Sequence, residues 1–424
     1  MGLFSKSKRD ATPAPVLHVN LNTPQDHVFK PNDTVSGHIT LSTPTPLQPQ
    51  AIEASLWGHS LVWTRHGYKK NENSTYDYHH YRDNVPLFSI VLNVLTEKHL
   101  QPGQTYTFPF QFVFPQGTNT SRVGGYKDCN DSRWTVHPHE LPPSFMWGDQ
   151  TDYPDHAKIT YGVKGRLVCA GVGGGKKGDE PIEDVTPVMF SPHNAHVNQP
   201  YSVVPHTKPF ALASSALGGQ DASSLGFRKK ISDRFSSNTP KVDFELGVAV
   251  PDYLISGSEF RFRSSFNVLE KSTNVTTVPP ITFKVLKLEL LDFTFLRAQS
   301  DHQADTSTMG YHYDKSPPNQ ATGAYTKGHE DYQLREHKTV LNSLPESQTV
   351  PLVEAMAPGD GKRMEQARGC EVWFSARVPG YLAASFASFA IRRTYSVRVE
   401  MGVEVAGKKF EYSVESVVQG LGGA

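Results

Sequence analysis

Tyr106-Thr107-Phe108-Pro109-Phe110-Gln111-Phe112-Val113-Phe114 sets an aromatic ring at every second position across nine residues. A period of two is the signature of a β-strand with one buried face. Tyr106, Phe108, Phe110, Phe112 and Phe114 would line that face. Burying one such ring stabilises a fold by about 1.5–3 kcal/mol, before chain entropy is subtracted. Pro109 has no N–H to give to a ladder, so this strand is expected at a sheet edge or at a bulge.

The same alternation recurs outward from this stretch. Leu17, Val19 and Leu21 alternate, as do Phe244, Leu246, Val248 and Val250. Val397, Val399, Met401, Val403 and Val405 form a further row, and Phe410, Tyr412 and Val414 another. Ala406-Gly407-Lys408-Lys409 between the last two reads as a hairpin turn, with Gly407 able to take a positive φ. Ile281 to Leu291 is denser in apolar residues, as a strand covered on both faces would be. Helical periodicity is scarce. Many short strands punctuated by Pro and Gly argue for all-β sandwiches rather than α/β units.

The chain also repeats itself. Pro31-Asn32-Asp33-Thr34-Val35-Ser36-Gly37 and Pro251-Asp252-Tyr253-Leu254-Ile255-Ser256-Gly257 both fit Pro-x-x-x-(Val/Ile)-Ser-Gly. Leu141-Pro142-Pro143-Ser144-Phe145 leads to Ile159-Thr160-Tyr161-Gly162-Val163. Later, Val378-Pro379-Gly380-Tyr381 and Ser385-Phe386 lead to Ile391 and Thr394-Tyr395-Ser396-Val397. Each pair is separated by roughly 220–240 positions, the mark of a tandem duplication. Two stretches interrupt it. Residues 176–240 hold a Gly/Ser-rich run and read as a linker with an insertion, and residues 299–345 read as a long polar loop. The expected plan is a flexible basic N-terminus over 1–11, a domain over 12–175, the linker, and a second domain over 241–420.

Composition bounds the chemistry. Charge is balanced, 42 basic against 42 acidic residues, so no global positive field draws in nucleic acid. Three distant cysteines, Cys129, Cys169 and Cys370, make neither a disulfide framework nor a zinc pattern, which fits a reducing compartment. No apolar run reaches the length of a membrane helix, so a soluble intracellular protein is expected, and sequons such as Asn73-Ser74-Thr75 read as accidental. His79-His80 and His137-Pro138-His139 lack the carboxylate or cysteine array of a metal site. Gly171–Gly175 lacks the Gly-Lys-(Ser/Thr) of a phosphate loop, and no Gly-x-Ser-x-Gly occurs. The expectation is a protein without cofactor, metal or catalytic site.

In order and duplication, Leu141–Phe145 with Ile159–Val163, and Pro379, Ser385, Ile391, Tyr395, Val397 and Val399, resemble the closing segments of the two domains of the arrestin family. The likeness is to the fungal-type arrestin-related adaptors in particular. It implies two tandem arrestin-like, immunoglobulin-type β-sandwich domains and an adaptor, cytoplasmic with recruitment to plasma membrane or endosomes. Such an adaptor links membrane-protein tails or loops to endocytosis and ubiquitination. A structural subunit of a retromer-like or coat sorting complex is the alternative.

Those adaptors engage a WW-domain HECT-type ubiquitin ligase through Pro-Pro-x-Tyr, which lays a polyproline turn and a Tyr ring in the WW groove. This chain has no such motif. Its nearest variants are Val250-Pro251-Asp252-Tyr253 and Val378-Pro379-Gly380-Tyr381, both within the landmarks above. Ligase recruitment would run through these or through another adaptor. Gly2, followed by Lys6, Lys8 and Arg9, suggests attachment to an anionic membrane, although Lys6 stands where the myristoylation pattern has Ser or Thr. Arg228, Lys229 and Lys230, with serines nearby, form a candidate regulatory basic segment.

Overall fold

The computed structural model describes residues 14–68, 77–126, 128–148, 155–169, 182–192, 202–219, 238–300, 330–341, 344–354 and 368–422. They are strands and turns, with one short 3-10 turn at Ser215–Gly218. The chain divides into two compact units. The first holds the described residues up to Pro192, with Phe295–Ser300, Glu330–Gln333 and Phe386–Arg392; the second holds the remainder.

Unit one is a sandwich of strands β1 (Val16–Leu21), β2 (Val28–Phe29), β3 (Thr34–Ser42), β4 (Pro49–Tyr68), β5 (Asp77–Asn93), β6 (Thr105–Val113), β7 (Phe145–Trp147), β8 (His156–Cys169) and β9 (Ile182–Phe190). One sheet runs β1-β3-β6. The other runs β5-β4-β8-β9-β2, with β7 on β8; only the β9–β2 pair is parallel. The aromatic stripe lies on β6 as its spacing requires. Phe108, Phe110, Phe112 and Phe114 are buried, and Tyr106 at the open end is half-buried. Four buried rings contribute roughly 6–12 kcal/mol before entropy. β6 is an edge strand, which is how Pro109 is accommodated opposite His38. Phe114 stacks on Phe190 at 4.6 Å, and Tyr161 lies 5.0 Å from the same ring.

The remaining strands, most of them in unit two, are β10 (Val203–Ala213), β11 (Lys241–Pro251), β12 (Tyr253–Ile255), β13 (Glu259–Lys271), β14 (Ile281–Ser300), β15 (Glu330–Val340), β16 (Gln348–Val350), β17 (Val353–Glu354), β18 (Arg368–Arg377), β19 (Phe386–Ala387), β20 (Ile391–Val405), β21 (Lys408–Val418) and β22 (Gly420–Gly422). The end of β14, β19 and the start of β20 count with unit one. One sheet runs β10-β11-β13-β18-β17. The facing sheet sets β20 and β21 on one side of β14, with β15 and β16 on its other side. Phe244 stacks on Phe266 at 4.4 Å and meets Phe410 edge-on at 5.0 Å between the layers. The β20–β21 hairpin turns on two residues, Ala406 at φ 49° and Gly407 at φ 69°. That is the primed turn that matches strand twist.

The two units repeat one closing device. Tyr161 Oη donates to Pro142 O at 2.6 Å, and Tyr395 Oη donates to Ala383 O at 2.6 Å. Ser144 N donates to Phe190 O while Ser144 Oγ accepts from Phe190 N at 2.9 Å. Ser385 makes the same pair with Leu421, its Oγ accepting from Leu421 N at 2.8 Å. Each serine thus clamps a loop to a terminal strand that also carries a short parallel pairing, β9 with β2 and β22 with β12.

The doubled Pro-x-x-x-(Val/Ile)-Ser-Gly phrase is not part of this equivalence. Gly37 lies inside β3, where a Cβ would stand 2.1 Å from Asn20 O. Gly257 sits in the turn before β13 with φ 75°. The residue that plays Gly257's part in unit one is Asn32, at φ 68° in the turn before β3. One glycine admits a close neighbour and the other a left-handed turn, so the shared letters have different causes.

Two stretches read as irregular contain strands. β9 and β10 fall within 176–240. The row of β9 that points inward includes Asp184 and Thr186, which interrupts its apolar alternation, and β10 carries Pro205 and Pro209. β15 falls within 299–345; it pairs with β14 through its backbone while its described side chains from Glu336 to Val340 stay largely exposed. A strand held by its ladder alone leaves no hydrophobic period to read.

Candidate functional site

The two Val-Pro-x-Tyr stretches sit differently. Val250 is buried, Pro251 ends β11, and Tyr253 pairs with Gly420 in the parallel β12–β22 ladder. The Tyr253 ring occupies the space a Cβ on Gly420 would need, 2.6 Å away, and burial raises its phenol pKa. In the second stretch Val378 is buried and Pro379 O accepts from Ser256 Oγ at 3.0 Å. Tyr381 projects into solvent, 76 % exposed. A WW groove needs both the proline and the tyrosine free in an extended turn. Only Tyr381 meets the tyrosine half of that demand. Gly2, Lys6, Lys8, Arg9, Arg228, Lys229 and Lys230 lie outside the described residues.

Unit two carries an open trough on the solvent face of its β10–β17 sheet. Its volume is about 610 Å³, and Arg263, Ser265 and Asn267 of β13 line it with Val350, Pro351 and Glu371. Alternation on β13 puts Phe262 and Phe266 in the core and leaves the polar row outside. Arg263 Nη1 pairs with Glu371 at 2.9 Å, and its guanidinium lies 5.8 Å from the Trp373 ring, itself 41 % exposed. An exposed tryptophan beside an ion pair on a sheet face is the composition of a polypeptide-binding surface. Cys370 at its floor has its thiol pushed up to about 11 by burial, so it is a packing group there.

Unit one holds a buried charged network absent from the sequence reading. Asp83 on β5 accepts from Arg122 Nη2 at 2.7 Å and from Tyr126 Oη at 2.9 Å. Arg297, near the end of β14, lies 3.5 Å from the Tyr126 ring centroid and 5.0 Å from that of Trp134. Its Nε donates to Phe389 O at 2.7 Å and its Nη1 to Asp128 O at 3.4 Å. Gln299, next on the same row, donates to Gly125 O. Burial opposes charge on Arg122, but Asp83 and Tyr126 more than offset it and raise its pKa; burial, helped by Asp83, raises that of Tyr126. Arg122 is therefore held charged and the Tyr126 phenol neutral. Asp83 neutralises Arg122, while Arg297 lies over the aromatic faces of Tyr126 and Trp134. A lone Arg between buried Leu296 and Ala298 is the one trace of it in sequence.

His139 closes the same region. It shares hydrogen bonds with His137 O at 3.0 Å and Ser388 Oγ at 3.2 Å, and its ring meets Phe389 edge-on. Among the described residues, no three of His, Cys, Asp and Glu gather as a metal would require, and no helix is long and apolar enough to cross a membrane. The geometry offers an open polar trough on a sheet face of unit two and a buried charged network in unit one.

Residues 17–129 match the family model described as arrestin (or S-antigen), N-terminal domain. No curated protein matches the chain.

Proposed function

We propose, from the match of residues 17–129 to the arrestin N-terminal domain model, that this chain is a trafficking adaptor of the fungal arrestin-related type. It binds tails or loops of membrane-protein cargo and couples them to endocytosis and ubiquitination. It works from the cytoplasm and is recruited to plasma membrane or endosomes. The observation that carries this reading is the family match joined to a second sandwich closed by the same Tyr and Ser devices. The trough beside Trp373 supplies a surface suited to an extended cargo segment. A fold alone is a weak warrant for function, so the proposal stands on what the protein captures.

The ligase is reached through a second adaptor. Val378 is buried and Pro379 is tied to Ser256, so the more exposed of the two variants would have to unfold locally to enter a WW groove. The test is capture of the tagged protein from its own cells after mild crosslinking, read by mass spectrometry. Recovery of plasma-membrane transporters or receptors with a WW-domain ligase is the expected result. Recovery of one stoichiometric sorting complex without cargo or ligase would overturn it in favour of a coat-type subunit.

A further inference from the structure

β21 is an eleven-residue strand with neither proline nor glycine, paired with β20 along one side. The two-residue turn at Ala406-Gly407 makes Val405 and Lys408 a hydrogen-bonded pair, and the alternation that follows is fixed. Lys408, Phe410, Tyr412, Val414 and Ser416 turn their main-chain groups toward β20. Lys409, Glu411, Ser413, Glu415 and Val417 turn theirs to the outside. No hydrogen bond among the described residues reaches those outward groups. The strand is also rigid, because Phe410 packs on Phe244 and Tyr412 and Val414 are buried.

Other edges of the fold are blunted in the ways natural sheets use. β6 carries Pro109, β9 carries Pro187, and β10 carries Pro205 and Pro209. In unit one the strand that corresponds to β21 is β9, whose side chains reach across to the main chain of β1. Asp184 Oδ2 accepts from Val19 N at 2.7 Å, and Thr186 Oγ1 donates to Val19 O at 3.0 Å. Among the described residues no such hydrogen bond joins β21 to β10, which meet through the Phe210 and Phe410 rings.

We propose that the open edge of β21 pairs antiparallel with β21 of a second copy of this chain, about a two-fold axis at Tyr412. The charges select the occupant and its register. With the axis at Tyr412, Lys409 stands opposite Glu415 of the partner subunit, and symmetry makes this contact twice. Glu411 then faces Ser413 of the partner subunit. Moving the axis to Ser413 would set Glu411 against Glu415 of the partner subunit, and moving it to Glu411 would set that residue against its own copy. Within one chain Glu415 Oε2 accepts from Arg398 Nη2 at 2.8 Å, leaving Oε1 for the lysine. Lys409 is 80 % exposed, and its contact with Glu404 is long, 3.9 Å. Pairing two adaptors would also double the valency toward clustered cargo.

Analytical ultracentrifugation of the full chain over a wide concentration range tests this. The wild type is expected to move from monomer to dimer mass. Ser413→Pro removes an outward N–H that β20 does not use, so the variant should fold by circular dichroism yet remain monomeric. Lys409→Glu and Glu415→Lys should each remain monomeric alone and form a heterodimer when mixed, because the mixture restores opposite charges at both contacts. A wild type that is monomeric throughout overturns the proposal, as does a dimer indifferent to Ser413→Pro. If Glu415→Lys fails to fold, Lys409→Glu and Ser413→Pro still decide: a dimer in both refutes it, monomers in both support it.

Discussion

Tyr161 and Tyr395 each give a buried hydroxyl to one carbonyl, and in both burial, the leading cause, raises the pKa. Replacing either by Phe leaves that carbonyl unpaired, and about 1–2 kcal/mol of stability should go from the unit concerned. Chemical denaturation followed by fluorescence would show one of two transitions move, Tyr161→Phe the one and Tyr395→Phe the other. Asp83→Asn is a harsher change. It strips the carboxylate from a network whose guanidiniums stay buried, and about 3–5 kcal/mol is expected in the transition of unit one. Burial also lowers the pKa of His139 and of His59, the latter helped by Lys164 and Lys158 against its bond to Asn84. Between those lowered values and the ordinary 6.5, the unfolded chain binds more protons than the folded one. Stability is therefore complete above pH 6.5 and falls as the pH drops below it, through the folded values. Denaturant midpoints measured across that interval should decline on acidification, and less steeply in His139→Gln. The tyrosines were legible in sequence because x-Tyr-x-Val recurs. The network was not, because its members lie far apart in the chain and share no spacing.

At the scale of elements, the serine clamps show how a loop is held to a strand. Ser144→Ala keeps the backbone bond to Phe190 but orphans the Phe190 N–H, and Ser385→Ala does the same to Leu421. Each should cost about 1–3 kcal/mol. Amide exchange should accelerate first at Phe190 in one variant and at Leu421 in the other; unchanged protection at both would refute the clamp. Strands that bury an apolar row, such as β6 and β20, were readable from alternation alone. β9, β10 and β15 were not, since polar inward residues, prolines or exposed side chains replace that row and the ladder itself holds them. The same physics explains the repeated phrase around Gly37 and Gly257. Local letters report a local backbone need, and two different needs can call for one residue.

For the whole molecule, the repeated closure limits what the proposed adaptor can offer a partner. Both sandwiches commit their interiors to packing and their Tyr and Ser residues to closure, so binding falls to sheet faces and edges. Two exposed aromatics divide the question. Trp373 stands beside the unit-two trough, and Tyr381 belongs to the Val-Pro-x-Tyr stretch. Neither side chain is needed for the core, so Trp373→Ala and Tyr381→Ala should leave the unfolding transitions within about 0.5 kcal/mol of wild type. Their effects on capture should differ. If cargo docks in the trough, Trp373→Ala loses transporters and receptors from the crosslinked set, because an exposed aromatic anchor dominates such a surface. If the ligase arrives through a second adaptor, Tyr381→Ala retains it. Loss of ligase in Tyr381→Ala with cargo unchanged would instead make Pro379-Gly380-Tyr381 a direct contact, and local release of Val378 from its buried position would then be part of recruitment.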